Sequence, residues 1–299
     1  MGEKIFLNER LAVDNSHTQT GAIWFLAPIY SSIKGGEVMD LFLKERVIFV
    51  TGGSRGIGKS IVEDLLKEGV CIGTCARNMS ELEQLRDSLS ESMRSRLNIQ
   101  QCDVRNPDDV RTAVNLTIEQ FGHLDGIVTN AGFGTSGRVL ETTINDWMSQ
   151  YEIKIISILN VVHAAIPALR QSNAGRVVIM NGVTANVPDS EMAAVSASRA
   201  AVKQVVNMLA EDLAVDNICV NVVNIGVIDT NRQIERFKKS GSVLTYSDWA
   251  KQEAERRGII LGRFGRADEV SPIVMLLLSP LSSYITASSI DVAGGLNAR

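Results

Sequence analysis

The sequence predicts an α/β fold, a single domain built on a doubly wound, mostly parallel sheet of seven strands. Three observations predict it. Short β-branched runs alternate with longer helical patterns from residue 46 onward. A glycine-rich turn follows the first of those runs and opens a helical stretch. No internal repeat or low-complexity linker interrupts the alternation.

In chain order the apolar runs read as strands are 47–50, 70–74, 99–102, 124–129, 177–180, 218–223 and 289–292. The helical patterns between them cover 59–68, 80–93, 107–121, 143–171, 196–214 and 268–279. Ser80 and Asp268 are of the residue types that cap a helix start, and they are read here as caps. Residues 1–38 show neither helical nor strand periodicity and are read as an N-terminal extension to the domain at 39–299. Gly35-Gly36-Glu37-Val38 before Met39 is what a purine-rich ribosome-binding site spells when translated, which suggests an extension that is disordered or is not translated. An intact mass that includes residues 1–38 would reject the untranslated reading.

A length of 299 residues suffices for a full core. The 45% hydrophobic and 21% charged content, with 24 Gly and 6 Pro, excludes collagen-like, disordered and disulfide-scaffold classes. A net charge of -4 gives no general attraction to phosphate backbones, which argues against nucleic acid or an anionic membrane as the main partner. Cys71, Cys75, Cys102 and Cys219 contain no C-x-x-C pair and lie far in sequence from His17, His123 and His163, so no metal site is expected. Scattered cysteines suit a reducing compartment, and the cytoplasm is the expected location. The run Ala22 to Tyr30 is too short to span a bilayer and lacks a basic region before it, so no export signal is expected.

The glycine turn reads Thr51-Gly52-Gly53-Ser54-Arg55-Gly56-Ile57-Gly58. Glycines in a strand-turn-helix context permit a tight turn, let the backbone approach a pyrophosphate, and set the phosphates at the positive helix terminus. The fold is therefore expected to be Rossmann-like. NAD-preferring sites carry an acid at the end of the second strand for the ribose 2′-hydroxyl, whereas here Thr74-Cys75-Ala76-Arg77 has none before Glu81. Arg77 and Arg55 are expected to form a cationic cleft for a 2′-phosphate, which favours NADP(H) over NAD(H). The structural alternative is two solvated loop arginines.

Residues 39–299 resemble the short-chain dehydrogenase/reductase family. The motifs that carry the resemblance are the glycine turn, Cys102-Asp103-Val104, Asn130-Ala131-Gly132, the turn from Gly226 to Thr230, and Asp291-Val292-Ala293-Gly294-Gly295, in the family's order and spacing. The resemblance implies that Gly52, Ser54, Arg55, Gly56, Ile57 and Gly58 cradle the cofactor phosphates, with Asp103 and Val104 at the adenine. It also implies that Asn130, Ala131 and Gly132 line the cofactor, with Thr230 near the nicotinamide carboxamide. Members move a hydride between nicotinamide and a carbonyl or alcohol, using a tyrosine, a lysine, a serine and an asparagine.

This sequence departs at each of those four positions. The Tyr-x-x-x-Lys segment reads Val195-Ser196-Ala197-Ser198-Arg199, the serine position falls on Gly182, and the asparagine position falls on Lys154. The Pro-Gly after the sixth strand is Ile225-Gly226. Valine has no titratable proton and arginine stays charged, so neither performs the usual proton transfer. Arg199 can still bind the nicotinamide ribose. Lys154 can place a cation beside the vacated site, where desolvation lowers its pKa, or it can snorkel to solvent or pair with Glu152 or Asp189.

Tyr151, Asp189, Glu191 and His163 are the other candidate acids, read respectively as core, solvated loop, solvated loop and interior or interface residues. The segment from Asn231 to Gly258, with Arg232, Arg236, Lys238, Lys239, Tyr246 and Trp249, reads either as a lid over an anionic substrate or as an exposed helical pair. Three functions remain open: an NADP(H)-dependent oxidoreductase with a relocated proton donor, an inactive subunit that pairs with an active relative, or a lyase or isomerase on the same scaffold. The resemblance implies a homo-oligomer, a dimer or tetramer, or a hetero-oligomer with an active subunit, through the helix holding Ala197, Ala200 and Ala201.

Overall fold

The computed structural model describes residues 39–296, so the readings made on 1–38 lie outside the described residues. The strands are β1 (Val47–Thr51), β2 (Cys71–Ala76), β3 (Leu97–Gln101), β4 (Gly126–Thr129), β5 (Arg176–Gly182), β6 (Cys219–Ile225) and β7 (Ser289–Val292). They form one sheet in the order β3-β2-β1-β4-β5-β6-β7. Every pairing is parallel. All seven strands fall on the runs read from the sequence, with ends displaced by a few residues.

Parallel strands need crossovers, and helices supply them on both faces. One layer holds α4 (Pro107–Phe121), α6 (Ser157–Leu169) and α7 (Ala193–Ala214). The other holds α1 (Gly56–Lys67) and α10 (Ser271–Leu278). The period of two along β1 divides its side chains between the layers: Val47 and Phe49 pack with Val114, Val161 and Val206, while Ile48 and Val50 pack with Ile61, Leu65 and Val274. Both sides of β1 are fully buried, which is why it reads as continuous apolar sequence.

Several helix boundaries differ from the sequence reading. The stretch 80–93 is two helices, α2 (Met79–Ser88) and α3 (Glu91–Arg94), broken where Leu89 takes an extended backbone and buries its side chain. Asn78, not Ser80, caps α2 by accepting from the Ser80 amide at 3.1 Å. Asp268 lies in a 3-10 turn before α10, where its carboxylate accepts from Arg266 at 2.9 Å rather than capping a helix.

The stretch 143–171 is one helical run with an inserted residue. α5 (Ile144–Tyr151) passes through a π-helical segment, Glu152–Ile156, into α6. Thr143 closes a capping box with Asp146 at its start. A π-turn widens the helix locally and shifts the face that following residues present. Here Ile153 and Ile158, five residues apart, both reach the core. By length and composition Ile144–Leu169 is apolar enough to cross a bilayer, yet Val161, Val162, Ala165 and Leu169 are spent on the sheet.

Candidate functional site

The strand order reverses between β1 and β4, and ligands of open α/β sheets bind at such a switch point, outside the carboxyl ends of the strands. A cleft of about 510 Å³ lies there. Its lining includes the turn after β1, the loop after β4 and the start of α8 (Asn231–Ser240).

The glycine turn is held from behind. Gly52 has a φ of +71°, and a Cβ there would sit 2.9 Å from the Ala131 Cα, so the turn and the loop after β4 touch backbone to backbone. Asn130 donates through Nδ2 to the carbonyls of Thr51 and Gly52, both at 3.1 Å. The amides of Asn130 and Ala131 donate to the Thr51 hydroxyl at 2.9 and 3.0 Å. Asn130 thus serves the turn with its side chain while lining the cleft. Arg55 precedes α1 without a side-chain cap, and the first turn of α1 carries no acid, so its dipole is free to face an anion. Thr230 opposes this turn, its Cγ2 3.5 Å from where a Gly56 Cβ would lie.

Glu81 changes one expectation. It lines the cleft, accepts from the Ser54 hydroxyl at 2.9 Å and lies 3.5 Å from the Arg55 guanidinium, so Arg55 is paired rather than a free member of a cationic pair. Arg77 also lines the cleft and makes no ion pair among the described residues. Asp103 holds Arg105 through paired bonds, and that contact lowers its carboxyl further than burial raises it. Val104, buried beside it, gives its carbonyl to Asn160 at 3.0 Å.

At the other end Lys154 and Arg199 line the cleft, with Gly182 against Arg199 and Val195 against Gly134. A Cβ at Gly132 would lie 2.6 Å from the Lys154 Nζ, and one at Gly182 would lie 2.3 Å from the Arg199 Nη1. The absence of side chains at these two glycines makes room for the two cations. Arg199 donates to the Thr184 hydroxyl at 3.0 Å, while its buried Nε finds no partner among the described residues. Val195 is fully buried. Lys154 sits in the π-segment and pairs with neither Glu152 nor Asp189. Burial, then Arg199, then Arg232 push its ammonium down to about 7. Burial likewise pushes Arg199 down to about 10, which leaves it charged at neutral pH.

A lysine titrates near 10.4 in an unfolded chain, so between pH 7 and 10 the folded state binds fewer protons and stability rises with pH. The cost of burying the charge is fully present below pH 7. Lys154→Met is therefore expected to raise Tm by several degrees at pH 6. The gain should shrink towards pH 10, and thermal melts across that range check it.

The remaining candidate acids are engaged elsewhere. Asp189 lies 3.9 Å from Arg257 and Glu191 lies 3.2 Å from Arg138. Tyr151 is 37% exposed and points away from the core it was expected to join. His163 is exposed, not interior. In the segment after Thr230, α8 and α9 (Tyr246–Arg256) enclose a small core of their own, in which Trp249 meets Phe237 at 5.5 Å and Phe264 at 6.0 Å. Tyr246 and Trp249 belong to that packing. Arg236 is half-buried, its guanidinium lowered chiefly by burial, and Lys238 and Lys239 are exposed. Arg232, whose segment reads either as a lid or as an exposed helical pair, brings its Nη2 within 3.3 Å of a Gly134 Cβ position and lines the cleft. Phe133 and Asn181 also line it and were not singled out from sequence.

Residues 52–297 match a family model described as enoyl-(acyl carrier protein) reductase. A chloroplastic tropinone reductase homolog of Arabidopsis thaliana is 33% identical over 251 residues, covering 83% of this chain and 74% of that protein. A short chain oxidoreductase of Pseudomonas aeruginosa, described as containing an atypical catalytic center, is 34% identical. In its apo form it has a TM-score of 0.81 and covers 86% of this chain and 99% of its own. The same protein is known with NADPH bound, at a TM-score of 0.80. L-Sorbose reductase of Gluconobacter frateurii, complexed with NADPH and L-sorbose, is 26% identical with a TM-score of 0.82, covering 86% and 98% of the two chains. A seven-stranded doubly wound sheet, a glycine turn at its switch point and these matches agree: the chain belongs to the short-chain dehydrogenase/reductase family.

Proposed function

We propose that this protein is an NADP(H)-dependent oxidoreductase of carbonyl or alcohol substrates in which Lys154, rather than a tyrosine, exchanges the proton. The observation that carries this reading is the place of Lys154: against Gly132, in the cleft, with no acid paired to it and an ammonium that titrates near 7. A general acid works best with a pKa near the working pH. Val195 offers no proton, Gly182 offers no hydroxyl, and Arg199 stays charged, so of these four residues only Lys154 can give and take one.

A bound nicotinamide supplies hydride transfer to a carbonyl carbon. In this reading Gly52, Ser54, Arg55, Gly56, Ile57 and Gly58 hold the phosphates, Asp103 and Val104 the adenine, and Asn130, Ala131 and Gly132 the adjoining edge. Arg199 takes the nicotinamide ribose and Thr230 the carboxamide. Arg77 takes the 2′-phosphate, supported by its lack of an ion pair, the absence of an acid at the end of β2, and the NADPH found on two relatives. Titration with NADPH and NADH tests this, read by nucleotide fluorescence. NADPH is expected to bind more tightly, and Arg77→Ala to weaken NADPH roughly tenfold to a hundredfold with little change for NADH. Equal effects on both nucleotides would remove Arg77 from the 2′-phosphate.

A second reading, an inactive subunit paired with an active relative, is favoured by an apolar strip. Ile144, Met148 and Ile156 are exposed along α5 and the π-segment, as is Met208 on α7. The same strip suits a homodimer or tetramer. Co-purification with a chain that carries Tyr-x-x-x-Lys would support the paired form. The four cysteines are free thiols, in keeping with a cytoplasmic location.

A further inference from the structure

Three cations from three elements converge on the substrate end of the cleft. Lys154 comes from the π-segment, Arg199 from α7 and Arg232 from the first turn of α8. Lys154 Nζ lies against Gly132 and Arg232 Nη2 against Gly134, two residues further along the same loop. A Cβ at Gly134 would also lie 3.3 Å from the Val195 Cγ2 and 3.4 Å from the Met192 Cε, so Arg232 and the valine that stands where the family has its tyrosine approach the same point of this loop.

None of the three makes an ion pair among the described residues, although 16 ion pairs occur there. Elsewhere in this chain arginines find acids readily: Arg256 and Arg257 share Glu253, and Arg263 and Arg266 share Glu269. Glu235 also lines the cleft, one turn beyond Arg232, yet it forms no ion pair with it. The charged groups that act on Lys154 are Arg199 and Arg232, both cations. Lys154 and Arg199 are largely buried without an acid, which costs free energy that a ligand anion would recover, and Arg232 stands exposed at the mouth. Asn181, 5% exposed in the same lining, keeps an Oδ1 without partner among the described residues.

We infer that the substrate is a small oxo acid or hydroxy acid whose carboxylate is held by the Arg232 fork, with its carbonyl or hydroxyl oxygen directed to Lys154. The planar guanidinium matches a carboxylate by two parallel bonds, which suits Arg232 at the mouth, and the compact ammonium inside suits a single oxygen. This assignment rests on the oxidoreductase reading and gives it a substrate class. It also explains why the helical pair α8–α9 brings a bare cation to the cleft rather than an apolar cover.

The test is calorimetric titration of the full chain at pH 6.5 with 2-oxobutanoate, with 2-butanone, in which a methyl replaces the carboxylate, and with inorganic phosphate. Each is run with and without saturating NADP⁺. The oxo acid is expected to bind at least tenfold more tightly than the ketone and than phosphate. Arg232→Leu is expected to weaken the oxo acid tenfold to a hundredfold, and Arg232→Lys to weaken it less. Raising the pH to 9 should weaken it further as Lys154 loses its proton. Equal binding of ketone and oxo acid, phosphate binding as tight as the oxo acid, an unaffected Arg232→Leu, or no oxo acid binding in either condition would overturn the inference. NADPH titrations of the same samples report whether each variant is folded, and loss of NADPH binding by the unaltered chain would instead strike the oxidoreductase reading.

Discussion

Lys154→Met is expected to lower turnover by roughly two to four orders of magnitude while NADPH still binds, since that is the range a positioned general acid supplies. Methionine keeps the length and apolar stem and removes only the proton carrier. The pH profile carries more information than the rate. Reduction of a carbonyl needs the ammonium, so its rate should fall as pH climbs through about 7, and oxidation of an alcohol needs the free amine and should rise over the same interval. Both limbs should vanish in the variant. Steady-state rates with whichever carbonyl compound the unaltered chain reduces, taken from pH 5.5 to 9, measure this. A variant that keeps its rate within a few-fold, or keeps the limb near 7, would take the proton away from Lys154.

Gly58→Ala is expected to abolish measurable NADPH binding. The added methyl would lie 2.1 Å from the Gly52 carbonyl oxygen and 2.4 Å from the Asn130 Nδ2, two backbone-anchored groups that hold the turn from behind. No flexible side-chain end can yield, because Asn130 Nδ2 is already spent on the Thr51 and Gly52 carbonyls. The turn must open or α1 must shift, and either moves the amides away from a pyrophosphate. Overpacking of this kind costs about 1–3 kcal/mol, so the melt should fall by several degrees while the fold persists. Circular dichroism and nucleotide titration on the same sample separate the two effects. NADPH binding within threefold of the unaltered chain would mean the turn does not hold the phosphates.

The sheet was legible because parallel strands covered on both faces concentrate β-branched residues in short runs, and all seven runs became strands. The glycine turn was legible because its chemistry is local: strand, turn and helix follow one another within twenty residues. The charge balance around it was not. Glu81 pairs with Arg55 across 26 positions, and only the passage through α1 and β2 brings them together. The sequence leaves Arg232 between a lid and an exposed helical pair, because its approach to Gly134 depends on how α8 leaves the turn after β6, which no periodicity encodes. His163 reads as an interior or interface residue from the apolar sequence around it, and its exposed position excludes the interior. Lys154 was left between solvent and site because its helix does not keep a helical period.

That broken period bears on how relatives are compared. A helical wheel that advances 100° per residue sets Ile153 and Ile158 roughly 140° apart, on different faces. Both are buried here because the run from Glu152 to Ile156 takes one residue more than an α-turn would. An alignment that preserves amphipathic phase through this helix would therefore slip by one position and set Lys154 beside the wrong residue of a homologue. Across this helix the register has to be anchored at both flanks, from Trp147 forward and from Pro167 back, before the identity of the residue facing the cleft is compared between family members.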